Sequence, residues 1–161
     1  MLPNTLNRSQ NHERENMQAE KVLSQLQNKQ LLVVNSRRRN GLIIYKRYHA
    51  EFAGPGSAVG GFLDLDAVGV LPVGSLSLVV PPSSEEKQRA YLIRRQWIRL
   101  TKQITDNPVP LQRAQMILNQ FEHFFDPETV AKLPDRAFAL MIGVLPQTIR
   151  KVRNPEERLD V

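Results

Sequence analysis

The run Pro81-Pro82-Ser83-Ser84-Glu85-Glu86-Lys87 splits the chain into two halves of different character. Consecutive prolines withdraw backbone donors and steer the preceding residue away from helix, so regular structure on their N-terminal side stops here. On the other side, Ser84 with Glu85 and Glu86 places a cap and acidic side chains where the positive end of a helix dipole favours them. The sequence therefore predicts an α+β protein: a small β-hairpin-containing N-terminal module followed by an all-helical C-terminal unit.

Downstream of the break, a helix is expected to about Thr105, with Tyr91, Trp97, Ile98 and Ile104 among its apolar positions. Asp106-Asn107-Pro108-Val109-Pro110 ends it. A second helix over 111–125 carries Ile117, Leu118, Phe121, Phe124 and Phe125 at helical spacing. Asp126-Pro127-Glu128 then supplies a cap with proline at the first helical position, opening a short helix through Leu133. Pro134-Asp135 and Pro146 each restart the pattern.

Upstream, residues 31–35 and 42–52 are β-like and joined by Ser36-Arg37-Arg38-Arg39-Asn40-Gly41. Asn-Gly is a tight-turn signal, so the two runs are expected to pair as a hairpin. The glycine-rich stretch 54–61 reads as a mobile connection. Within the apolar run 62–80, residues 75–79 alternate like a half-buried strand. Residues 17–82 thus form an N-terminal helix plus a small β module, preceded by a polar tail over 1–16 expected to be disordered. The helix, with Met17, Val22, Leu23 and Leu26 apolar, suits docking or pairing. The helical domain is expected over 83–154, with 155–161 a tail.

Composition narrows the function classes. The chain of 161 residues has a formal charge of +6 and 41% hydrophobic residues, with a pI near 10.0. That balance favours a polyanionic partner. Without cysteine, disulfides, thiolate zinc sites and cysteine nucleophiles are excluded. Residues 1–20 have no apolar core of signal-peptide type, and the run 62–80 is interrupted by Asp64, Asp66, Pro72 and several glycines and serines. A cytoplasmic protein with no membrane partner is the expectation.

The stretch Asp135-Arg-Ala-Phe-Ala-Leu-Met-Ile-Gly143-Val-Leu-Pro-Gln-Thr-Ile-Arg-Lys-Val-Arg153 carries the functional argument. Ala139 is small where a second helix must cross the first. Gly143 suits the positive φ that ends a helix. Val144, Ile149 and Val152 fall on the inner face, supported by Phe138 and Ile142. This segment, 135–153, resembles the helix-turn-helix of bacterial transcription regulators. The resemblance makes the helix opened by Pro146 the recognition helix, with Gln147, Thr148, Arg150, Lys151 and Arg153 outward. Gln and Arg can pair with base edges, and Thr and Lys hold phosphates. Leu145 departs from the Ser or Thr such motifs place at the cap. The wording of residues 108–153 also resembles a small uncharacterised protein family of cyanobacteria, which adds no residue assignments.

Two further basic clusters support a nucleic-acid surface. Arg89, Arg94, Arg95, Arg99 and Lys102 gather around Trp97, with Arg94 and Arg95 expected to contact DNA. Arg37-Arg38-Arg39 sits at the expected hairpin tip, with Lys46 and Arg47 further along. Double-stranded DNA is the expected partner, and a homodimer is compatible with reading two half-sites, the N-terminal module pairing subunits or receiving a signal. The alternative is a protein-docking module using Phe121, Phe124 and Phe125 if that stripe is exposed, or if the basic ridge is neutralised by Glu156 and Glu157. RNA or ribosome association through basic surface is a third option.

Catalytic chemistry finds little footing. His12, His49 and His123 lack metal-ligand spacing. Asp64 and Asp66 would share a strand face but have no third acidic residue near them. The 54–61 stretch lacks the Lys-Ser/Thr of a phosphate-binding loop. No enzyme activity, metal or cofactor is expected.

Overall fold

The computed structural model describes residues 3–155. Helix α1 (Pro3–Gln27) is followed by strands β1 (Leu31–Val34), β2 (Gly41–Tyr45), β3 (Ala50–Ala53), β4 (Ala58–Gly60), β5 (Gly69–Val73) and β6 (Leu78–Val79). Five helices complete the chain: α2 (Ser84–Thr105), α3 (Pro110–Phe124), α4 (Pro127–Ala131), α5 (Asp135–Ile142) and α6 (Pro146–Arg153). The class is α+β. The segment expected to be disordered is helical from Pro3 onward, and apart from Pro155 the expected C-terminal tail lies outside the described residues. Among the described residues, no helix is long and apolar enough to cross a membrane.

The strands form two three-stranded antiparallel sheets, ordered β4-β1-β6 and β3-β2-β5. The expected hairpin between 31–35 and 42–52 does not form: β1 pairs with β4 and β6, while β2 pairs with β3 and β5. Between them lies Asn40, whose buried side chain ties its own loop to the loop before β6. Its Nδ2 donates to the Asn35 and Arg38 carbonyls, each at 3.0 Å, and its Oδ1 accepts from the Ser77 N–H at 3.0 Å. Asn40 thus sits where the chain passes from one sheet to the other. Gly41 does not take positive φ; it is small because a Cβ there would lie 2.5 Å from the Phe52 ring. A hairpin does exist within the second run, where β2 and β3 meet around Lys46-Arg47-Tyr48-His49 with Leu42 opposite Ala53.

Strand β2 is central because both of its faces are buried. Ile43 joins a core built from Phe52, Val73 and helices α3, α5 and α6. Leu42 and Ile44 point the other way, into a core shared with Val22 and Leu26 of α1 and with Leu32, Val34 and Val59. A strand buried on both sides reads as a continuous apolar run, as Leu42-Ile43-Ile44 does. The Pro81-Pro82 break separates strands from helices, yet the larger core spans it. That core holds a cluster of rings: Phe52 lies 5.3 Å from Trp97 and 4.9 Å from Phe121, centroid to centroid, and Phe121 lies 5.0 Å from Phe138.

The glycine-rich stretch is not a mobile connection. It contains β4, and nearly all of it is buried. A Cβ on Gly54 would lie 2.3 Å from the Trp97 indole, and one on Gly60 would lie 2.0 Å from the Gln30 carbonyl oxygen. These glycines permit close packing rather than mobility. The strand expected over 75–79 shrinks to β6, and β5 forms instead at Gly69–Val73, an edge where Pro72 can be tolerated. At the helix boundary the cap is Ser83 rather than Ser84, its side chain accepting from the Glu86 N–H at 3.2 Å.

Candidate functional site

Helices α5 and α6 meet through Gly143, Val144 and Leu145. Gly143 has φ 67° and ψ 42°, and its N–H donates to the Ala139 carbonyl at 2.9 Å, closing α5. Nothing lies within 4 Å of where its Cβ would be. Glycine is needed there for backbone conformation alone. Ala139 is buried, and Ile149 is the fully buried anchor of α6; Val144 and Val152 are half-buried against the same core. Helix α3 packs on both α5 and α6.

The C-terminal end of α5 is held by a residue that local sequence does not flag. Arg113 of α3 donates from Nε to the Ile142 carbonyl at 3.2 Å and from Nη2 to the Gly143 carbonyl at 3.3 Å. Its Nη1 donates to the Asn107 carbonyl at 2.7 Å. A guanidinium at a helix C-terminus satisfies orphan carbonyls and complements the dipole. No spacing rule connects Arg113 to residues some thirty positions on.

Helix α6 opens with Leu145 at the cap, extended and without a side-chain hydrogen bond, and with Pro146 in its first turn. Gln147, Arg150 and Lys151 are exposed and Thr148 is half-buried. Positions 147, 150 and 151 are three and four apart, so they share one face. Arg153 does not join them. Its Nη1 donates to the Leu133 carbonyl at 2.6 Å and to Asp135 Oδ1 at 2.9 Å, its Nη2 donates to the Val130 carbonyl at 2.7 Å, and its guanidinium lies 5.1 Å from the Phe138 ring centroid. Arg153 therefore fastens the end of α4 to α6 instead of facing a ligand.

Arg94 is likewise removed from the expected DNA contacts. It is 1% exposed, donates to the Ala58 carbonyl at 3.1 Å, and pairs with Asp64 through Nη1 at 3.1 Å and Nη2 at 2.9 Å. Its Nη2 also lies 3.3 Å from Glu51 Oε2. Lys46, expected on the surface, is buried in the same network, 3.1 Å from Asp64 and bonded to Asp66 and to the Leu63 carbonyl. Asp64 and Asp66 lie in a turn, not on one strand face. Burial pushes the Asp64 carboxyl up, but the Arg94 hydrogen bonds and charge, the Gly60 N–H and Lys46 outweigh it and hold the group below its ordinary value. Lys46 holds Asp66 low as well. Arg95 is exposed, as are Arg37, Arg38 and Arg39 on the loop between β1 and β2.

The aromatic stripe is core. Phe121 and Phe125 are buried, and Phe124 lies edge-on to Trp97 at 5.0 Å, so that stripe presents no docking face. Glu156 and Glu157 lie outside the described residues. Among the described residues, no group of three or more His, Cys, Asp or Glu side chains is placed to hold a metal ion. No family model, curated protein or solved structure matches the chain.

Proposed function

We propose that the chain is a cytoplasmic, non-enzymatic protein that binds double-stranded DNA through α6, in the setting of bacterial transcriptional regulation. The observation that supports this reading is the outward face of Gln147, Arg150 and Lys151 on a helix anchored from beneath by Ile149. Those side chains suit a groove: arginine and glutamine can bond base edges in pairs, and lysine can hold phosphate. Half-buried Thr148 flanks them and exposed Arg95 is a further phosphate contact, whereas Arg94 and Arg153 serve the fold.

The test is retention of a random double-stranded DNA pool at low and moderate salt, with wild type beside Arg150→Ala/Lys151→Ala. Retention that falls steeply with salt and is lost in the double variant supports the reading, since each phosphate contact contributes to the salt slope. An Arg150 contact to a base edge is expected to contribute about 1–3 kcal/mol. Absence of retention at low salt overturns it.

A further inference from the structure

The loop Gly61-Phe62-Leu63-Asp64-Leu65-Asp66-Ala67-Val68 is built inside out. Asp64 is 0% exposed, while Phe62 is 79% and Val68 61% exposed, with Leu63 and Leu65 also open to water. Next to it, the β2–β3 turn presents Tyr48, 79% exposed. Lys46 locks these two loops together, reaching the Leu63 carbonyl and Asp66 from the turn. The arrangement is firmly held: the Gly60 N–H donates to Asp64 at 2.7 Å, Gln27 Nε2 donates to the Ala67 carbonyl at 3.1 Å, and the Val68 N–H donates to the Tyr45 carbonyl at 2.8 Å. A loop that buries its carboxylate and fixes its apolar side chains in water lacks the part that covers them.

We infer that this apolar patch, Tyr48 with Phe62, Leu63, Leu65 and Val68, is the surface through which two copies of the chain pair. Area is the first argument. A whole aromatic side chain covers roughly 150–250 Å², so Tyr48 and Phe62 alone present on the order of 300 Å². The three aliphatic neighbours and the stems of Lys29 and Arg47 carry the patch toward the roughly 800 Å² that each partner contributes to a stable interface.

Charge is the second argument. The chain as a whole carries +6, but this region is nearly balanced. Lys29 lies over the Phe62 ring at 5.7 Å and Arg47 over Tyr48 at 5.1 Å. Lys46, Arg94 and Asp64 are buried, so at the surface these two cations stand beside two carboxylates, exposed Asp66 and partly open Glu51. A self-complementary interface puts each patch against its own copy, so like charge is a direct cost there. The near-neutral face suits a second copy better than an anionic surface, for which the basic remainder of the protein is the better match.

The experiment is sedimentation equilibrium of the full chain without DNA, comparing wild type, Phe62→Ser/Val68→Ser and Arg150→Ala/Lys151→Ala. Wild type is expected to dimerise at micromolar concentrations. Phe62→Ser/Val68→Ser should weaken the dimer about tenfold or more, while its thermal unfolding should match wild type at concentrations where both are monomeric, because both side chains lie outside the cores. The α6 variant should dimerise normally, so failure of the DNA reading and failure of this one are distinguishable. The cysteine-free chain allows a second measurement: Val68→Cys should form a covalent dimer on mild oxidation, whereas Leu145→Cys, exposed at the cap of α6 and outside the patch, should not. A monomeric wild type, or a dimer indifferent to Phe62→Ser/Val68→Ser, overturns the inference. A monomer that co-sediments with anionic phosphatidylglycerol vesicles through Phe62 and Val68 also overturns it, assigning the patch to a membrane.

Discussion

Helices α2 and α6 carry the same kind of residue toward opposite ends. In α2, Arg94 turns inward and is spent on Asp64, Glu51 and the Ala58 carbonyl, tying the helix to β4 and to the 61–68 loop. In α6, Arg153 also turns inward, to the carbonyls that end α4, while Arg150 and Lys151 remain on the outer face. The distinction is one of angle. At 3.6 residues per turn, an arginine one position away from an exposed arginine points about 100° around the helix, which is how Arg94 and Arg95 come to differ so completely. Adding up basic residues in a helix measures neither the ligand-facing charge nor the charge consumed by the fold.

That contrast can be broken most forcefully at Arg94. Arg94→Ala leaves Asp64 buried beside Lys46 as its remaining close cation, and loss of one partner from a buried pair costs about 3–5 kcal/mol. Chemical denaturation should show that loss as a lower midpoint. Nearly unchanged stability would mean that water reaches Asp64 and that the α2 arginine is no more structural than its neighbours.

A smaller effect is expected at Arg153, where three hydrogen bonds and a ring contact are at stake, but the site is partly open. Arg153→Ala should destabilise by about 1–3 kcal/mol, read from the same denaturation curves. Its DNA retention, measured where the variant is fully folded, should match wild type. Weaker retention with intact stability would return Arg153 to the ligand-facing group.

Acid sharpens the comparison further. Asp64 has its folded-state value held below its ordinary 3.8. Its contribution to stability is therefore complete above the ordinary value and fades as pH falls through the depressed one. Below about pH 4, wild type should lose stability more steeply than Asp64→Asn, which has no such proton to take up. Parallel acid limbs for the two proteins would show that this network is not the acid-sensitive element. The smallest stability effect belongs to α6: Arg150→Ala/Lys151→Ala should stay within about 1 kcal/mol of wild type, as for exposed charged side chains, its larger consequence falling on DNA retention.

Much of the helical half was legible because its signals are local. Gly143 ends α5 in the left-handed conformation, Pro146 opens α6, and the Asp126 side chain accepts from the Thr129 N–H at 2.7 Å, as the residues at those positions suggest. Burial of Ala139 and Ile149 follows from spacing along a single helix. The β half was less legible because its partners are distant. Residues 31–34 are β-like by composition, but their partners are 58–60 and 78–79, far along the chain and outside the reach of any local pattern.

Features encoded locally could be read from the residues: the strand-to-helix change at Pro81-Pro82, the proline and glycine boundaries of α3 to α6, and the apolar face of each helix. These depend on φ restrictions, missing donors and side-chain period, all of which act within a few residues. Which charges face solvent, which glycines are buried and which apolar residues stay outside follow from contacts between distant segments. Arg94 is interior because Asp64 and Glu51 converge on it, Gly54 is interior because Trp97 lies against it, and Phe62 is exterior because Asp64 has taken the inner position of its loop. Each outcome depends on groups brought together from distant parts of the chain, where burial makes a charge expensive unless its partners arrive with it.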